Sequence, residues 1–271
     1  MNNMTPAVKQ LLIINIIFFL GSMAVPNAEK LLALYYFESP NFKLWQPLTH
    51  MFMHGGLMHI AFNMFALMSF GSLLENIWGS KKFLFFYLSC GLGAALLHSV
   101  INYFEINYVI KGIADLNFSN ETLTNLLNAN GSDGKYFRSD IYFKSITPIL
   151  ENSNKINLIT QESFDILFKA ANTYQSTAVG ASGAVYGLMV AFAFMFPNAE
   201  LALMFIPVPI KAKYFVPGLL AIDLFLGFGG SSIFGGGGTG IAHFAHIGGA
   251  IVGFVMMWYW KKNAFNNNRW N

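Results

Sequence analysis

Five polar side chains, set inside apolar stretches of this sequence, have the types and spacing needed to hydrolyse a peptide bond. Ser182 lies in Gly180-Ala181-Ser182-Gly183, and His246 lies in Ala245-His246 with Gly249 and Gly253 following it. His59 and Asn63 are four residues apart, so they share one face of a helix. A serine hydroxyl becomes a nucleophile when a base stands within about 2.6–3.2 Å of it. His246 offers an imidazole whose ordinary pKa, about 6.5, suits that task near neutral pH. The tetrahedral oxyanion then needs preorganised donors, each worth about 2.7–4 kcal/mol when removed. His59, Asn63 and the backbone N–H of Ser182 are the candidates. Tyr186, one helical turn after Ser182, is placed to pack against the imidazole and fix its ring. His243, the fifth residue, shares a face with His246 and competes with it as base. No Asp or Glu stands out as a third member, so the spacing favours a Ser–His dyad. Asp223 is expected near an interface or bonded to a neighbouring helix, outside catalysis.

Each of these residues also has a plainer use. Small residues around Ser182 form a common packing surface between membrane helices. A lone histidine in such a helix is more often a structural hydrogen-bonder, the role expected of His50 and His98. What packing alone does not predict is a match in depth, and the elements that carry these residues supply one. The chain is 55% hydrophobic and only 11% charged, against about 25% charged in a soluble domain. It is therefore a membrane protein by composition. A net charge of +3, without a basic stripe, excludes nucleic acid as a partner. The single cysteine, Cys90, excludes a disulfide framework within the chain.

A membrane span needs about 20 mainly apolar residues. Six segments fit that need: 10–25, 56–77, 82–104, 180–196, 214–229 and 242–260. Only helices satisfy the backbone over such lengths outside a closed barrel, so the fold class is an all-α, polytopic six-helix bundle. The first segment reads as a retained helix, because only Lys9 precedes it closely and Pro26-Asn27-Ala28-Glu29 is a poor cleavage site. With the N-terminus cytoplasmic, Lys9, Lys81, Lys82, Lys211, Lys213, Lys261, Lys262 and Arg269 fall inside. Lys30 and Lys43 fall in the short outer loop. That asymmetry follows the positive-inside rule and puts both termini in the cytoplasm. Segments two, four and six then run inward, and their polar residues fall within the first turns. At about 1.5 Å per residue they lie roughly 3–12 Å below the outer surface, at one common depth.

Residues 105–177 differ in kind. They hold six basic and eight acidic residues and no run long enough to span. Structureless connections seldom exceed about 12–15 residues, so the stretch reads as an extracytoplasmic insertion between helices three and four, forming a small cap. Short helices are expected at 106–110, 122–127 and 164–171. Because the insertion leads directly into Ser182, a regulatory or substrate-contacting role is expected. Before helix six, Gly229 to Gly238 is glycine-rich around Ile233 and Phe234. It reads as a movable cap with one of these two side chains as an apolar plug.

The motifs, in order and spacing, resemble those of the rhomboid family of intramembrane serine proteases. Gly180-Ala181-Ser182-Gly183 is similar to its G-x-S-G motif, and His59 to Asn63 to its H-x-x-x-N motif, preceded by His54 where the family often has another histidine. Ala245-His246 with Gly249 and Gly253 resembles its A-H-x-x-G-x-x-x-G motif. Gly71, Glu75 and Gly79 resemble its G-x-x-x-E-x-x-x-G pattern. One departure is Trp45-Gln46, where the family often carries Trp-Arg. The resemblance covers the chain apart from the insertion and implies a single membrane domain over 1–271. It further implies cleavage of transmembrane protein substrates near the outer bilayer face, with no metal or cofactor. The expected setting is the bacterial cytoplasmic membrane, with the lipid bilayer as the other partner and the site opening outward. Two other classes make different demands. A non-proteolytic rhomboid-like adaptor should lack the serine or the histidine, and both are present. A small channel or transporter should show internal repeats or helices broken at the midplane, and the sequence shows no repeat.

Overall fold

Apolar composition without strand alternation becomes helix almost throughout. The computed structural model describes residues 4–134, 136–203, 206–229 and 241–266. In chain order the helices are α1 (Pro6–Ala24), α2 (Ala28–Leu32), α3 (Gln46–Thr49), α4 (Leu57–Ala66), α5 (Ser72–Trp78), α6 (Ser80–Ile110), α7 (Asn120–Asn128), α8 (Ser139–Asn152), α9 (Gln161–Gln175), α10 (Ser182–Met195), α11 (Ala212–Gly229) and α12 (Ile241–Asn266). One antiparallel pair, β1 (Glu200–Leu203) and β2 (Ile206–Lys211), links α10 to α11. A π turn at Leu67–Gly71 joins α4 to α5, so the two form one apolar stretch from Leu57 to Trp78. Among the described residues, Pro6–Ala24, Leu57–Trp78 and Ser80–Leu116 are long and apolar enough to cross a membrane, and α10 is a shorter apolar helix. The chain is a helical membrane protein.

By contact the chain forms two compact units. The first comprises Met1–Leu34, Lys43–His98 and Ala178–Asn271. Its core is built from Val8, Leu67, Leu74, Phe83, Phe86, Tyr87 and Leu188. The Gly71–Glu75–Gly79 motif has a structural use there. The buried Glu75 carboxylate accepts the backbone N–H groups of Ala7 and Val8, both at 2.9 Å, and the Ser80 hydroxyl at 2.6 Å. It therefore caps donors that α1 leaves unsatisfied at its start. Where α10 and α12 cross, the side chains are missing by design of the sequence. A methyl on Gly249 would overlap the Gly183 carbonyl, and one on Gly253 would come within 2.9 Å of the Gly187 backbone. In lipid, where no hydrophobic drive brings helices together, this close backbone approach is what packs them.

The second unit comprises Tyr35–Phe42 and Ser99–Thr177. It is folded, with a core of its own in Ile113, Leu126, Tyr142, Ile146, Leu150 and Leu167. The expected short helices become longer ones: α6 runs on to Ile110, α7 covers the middle, and α9 spans Gln161–Gln175. Serine and threonine caps set the starts of α7 and α9. Ser119 accepts the Thr122 N–H, and Thr160 and Ser163 form a reciprocal capping box. Helix α8 was not expected; it carries Tyr142, Ile146 and Leu150 on one face and tolerates Pro148 within it. The Tyr142 hydroxyl donates to the carbonyls of Leu126 at 3.0 Å and Leu167 at 3.4 Å. Burial raises its pKa well above the ordinary tyrosine value, so it remains a donor.

Candidate active site

Ser182 is the first residue of α10, with Ala181 as its N-cap. The chain reaches it through Gly180 at φ +125°, a backbone conformation that favours glycine. Two fixtures hold this approach. Ala178 and Leu34 exchange backbone hydrogen bonds of 2.9 and 3.0 Å, and the Gly180 N–H donates to the His50 carbonyl at 2.9 Å. Ser182 thus stands in the first turn of a helix, where the N–H groups, its own included, have no intrahelical partner.

His246 comes from α12 and meets the serine across the glycine crossing, with its Nε2 2.8 Å from Ser182 Oγ. The Tyr186 ring stacks on the imidazole at 4.4 Å between centroids and 11° between planes. On the other side of the ring, His246 Nδ1 lies 3.4 Å from the Asp223 carboxylate. A carboxylate only accepts, so Nδ1 carries the proton of the neutral ring and Nε2 is left to accept from the serine hydroxyl. That is the tautomer a general base needs.

Asp223 revises the sequence reading, which set it outside the site. It does bond a neighbouring helix, but the partner is the histidine pair: His243 Nδ1 at 2.6 Å as well as His246. Its side chain is only 6% exposed. Helix α11 approaches this closely because Gly227, one turn on, has no side chain; a methyl there would press within 3.4 Å of His243 Cβ. The signal available in the sequence was cost, since an ionisable group inside an apolar helix is retained only with a partner. His243 stands on the far side of that carboxylate and makes no hydrogen bond to Ser182 among the described residues.

The other predicted residues fall as follows. The Gly55 N–H donates to His59 Nδ1 at 3.4 Å, which places the proton of a neutral His59 on Nε2. That Nε2 and Ser182 Oγ face the same small space: a methyl on Gly180 would lie 2.8 Å from the first and 3.5 Å from the second. Asn63 is buried and donates to its own helix at the His59 carbonyl, 2.9 Å away. No hydrogen bond joins it to Ser182 among the described residues, though its amide carries a second N–H. His54 packs edge-on against His59 at 5.1 Å. Burial, aided by the His59 charge, pushes the His54 imidazole down to about 4. His50 is also pushed down to about 4 by burial, so both rings are neutral at neutral pH. Ile233 and Phe234 lie outside the described residues.

The Rhomboid domain family profile matches residues 41–112 and 156–263, most of the chain, and leaves 113–155 unmatched. The chain is 26% identical over 238 residues to the mouse presenilin-associated rhomboid-like protein, mitochondrial, covering 87% of this chain and 43% of that one. It is 38% identical over 58 residues to the rhomboid protease GluP of Bacillus subtilis, covering 21% of this chain and 11% of that one. Against rhomboid-like protein 15 of Arabidopsis thaliana it is 38% identical over 60 residues, 22% of this chain and 15% of that one. The chain spans less than half the length of each of these relatives.

Proposed function

Because the chain belongs to the rhomboid family, we propose that it is an intramembrane serine endopeptidase acting on transmembrane protein substrates. The observation that carries this reading is the 2.8 Å contact between Ser182 Oγ and His246 Nε2, made in the tautomer that lets the imidazole accept. Ser182 Oγ attacks the scissile carbonyl carbon while His246 Nε2 takes its proton, and the same nitrogen then protonates the leaving amine. Water, deprotonated by His246, releases the acyl group and restores the serine. The oxyanion is met by the Ser182 N–H, by His59 Nε2–H and by the second N–H of Asn63. Tyr186 holds the imidazole by stacking, and Asp223 is a positioning residue that fixes its tautomer. This adds a carboxylate to what the sequence presented as a dyad.

The remaining parts of the reading rest on the apolar runs, on charge and on the family resemblance. Six apolar segments would cross the membrane. The lysine asymmetry puts both termini in the cytoplasm and the serine within reach of the outer face, and the resemblance favours a bacterial cytoplasmic membrane. A rhomboid-like adaptor would have no use for a serine and a histidine held at hydrogen-bonding distance, which favours the protease. Cleavage of a single-span substrate in proteoliposomes tests the proposal. Wild type is expected to cut it, while Ser182→Ala and His246→Ala do not. Equal cleavage by all three would contradict it.

A further inference from the structure

Beside the serine–histidine contact lies a denser cluster than hydrolysis requires. A serine–histidine base uses at most one carboxylate hydrogen bond, yet here the carboxylate is shared with a second imidazole. Asp223, His243 and His246 each present one ligand atom, and these atoms all lie within 4.8 Å of one another. The side chains of His243 and Asp223 are 7% and 6% exposed, and that of His246 is 21% exposed. Two of the three side chains are therefore buried and the third is partly so. Asp223 Oδ2 lies 3.4 Å from His246 Nδ1 and, among the described residues, makes no hydrogen bond of good geometry, so a buried acceptor oxygen stands beside the imidazole.

We propose that Asp223, His243 and His246 form an inhibitory site for a divalent cation of the zinc class. Two imidazoles and one carboxylate are ligands that zinc takes at about 2.0–2.2 Å, and three protein ligands with a water completing the tetrahedron is a common arrangement. The histidines, three residues apart on α12, share one face, and the carboxylate enters from α11. His246 is the most exposed of the three side chains, and a water would complete the coordination.

Ligation through Nδ1 has a defined consequence. A neutral imidazole carries one proton, and a metal on Nδ1 leaves that proton on Nε2. Nε2 of His246 then donates and no longer accepts from Ser182, so the base is switched off. The ion makes no bond to substrate and changes no oxidation state; it moves one proton across the ring and takes the orienting carboxylate as a ligand. Removal of the ion restores the base.

Two measurements test this. In the first, the purified full chain carrying Ser182→Ala is titrated with Co2+, and the visible absorption of a four-coordinate site is read. We expect one Co2+ per chain, displaced by Zn2+, with the band lost in Asp223→Asn and in both His243→Gln and His243→Asn. The variants are to elute from gel filtration as the parent does, and any one that does so decides the assignment. No band in the parent, or a band unchanged in these variants, overturns the site. In the second, Zn2+ is added to wild type cleaving a single-span substrate. Cleavage should fall and return with a chelator. Loss of an outer-shell partner alone costs about 10–100-fold in metal affinity. Removing the ligand His243 should therefore raise the half-inhibiting concentration about tenfold or more, and equal inhibition of wild type and His243→Gln overturns the switch. The switch rests on the protease reading, and the two fail differently. Co2+ binding without any cleavage would sink the protease and leave the site, whereas cleavage without a Co2+ band would do the reverse.

Discussion

The α10–α12 crossing and the core of the 99–177 unit are both made of packed helices, yet each is held by what the other lacks. At the crossing, Gly183 and Gly187 meet Gly249 and Gly253 with backbone against backbone. In the other unit, α7, α8 and α9 close around Tyr142, Leu126, Ile146 and Leu167, all fully buried. The difference follows from the solvent. Lipid tails are as apolar as leucine, so membrane helices gain little by burying large side chains and more by close approach. A unit built of amphipathic helices gains by removing apolar surface from water, about 25 cal/mol per Å2. The damaging direction of mutation is therefore opposite in the two regions: adding mass harms the first, and removing it harms the second.

Tyr142→Ala should be the larger effect, because it empties the centre of its core. A loss of about 3–5 kcal/mol is expected for deleting a large buried ring. The conservative Tyr142→Phe removes only the hydroxyl bonds to Leu126 and Leu167 and should cost about 1 kcal/mol. Hydrogen exchange of α7–α9 amides reads both, and protection that survives Tyr142→Ala would refute this account of the core. Gly249→Ala comes next. Its methyl meets the Gly183 carbonyl, which cannot rotate away, and overpacking of that kind costs about 1–3 kcal/mol. The detergent-solubilised chain should melt lower and lose the Ser182–His246 register, whereas an unchanged Tm and unchanged cleavage would show the crossing to be looser than described.

A pH-dependent effect, small near neutrality, concerns the approach to the serine. His50, whose carbonyl holds the serine approach, is neutral and pushed down to about 4 by burial. Its unfolded value is about 6.5. Above that pH neither state is protonated and folding carries no penalty. As the pH falls from about 6.5 to 4, the unfolded chain takes the proton first, so stability is lost across that window; below 4 the penalty is constant. At pH 6 this amounts to less than about 1 kcal/mol. The Tm of wild type should therefore fall more steeply between pH 6.5 and 4 than that of His50→Asn, each referred to its own value at pH 7. Parallel curves would remove His50 as the source.

Much of this could be read in the sequence for one reason: polar residues in apolar helices are few and costly. Ser182, His59, Asn63 and His246 stand out against their surroundings, and Gly249 and Gly253 have the G-x-x-x-G spacing that permits close helix approach. The partner of Asp223 was not readable. Twenty residues and a glycine-rich segment separate it from His243, and no periodicity states which face of α11 turns toward α12. Helix α8 was hidden by Pro148, which breaks the expected pattern. The β1–β2 pair was hidden by Pro207 and Pro209, which argue against a strand yet are tolerated in an edge pair. The core of the 99–177 unit was hidden by a polar surface composition that resembles a loop.

The central claim is that His246 makes Ser182 a nucleophile. The most direct measurement is covalent labelling of the purified chain with a fluorophosphonate, with the modified residue located by mass spectrometry. The account predicts one adduct, on Ser182, which disappears in His246→Ala while that variant still elutes as the parent does. Labelling that is equal in the two proteins, or an adduct on another residue with Ser182 untouched, would contradict it.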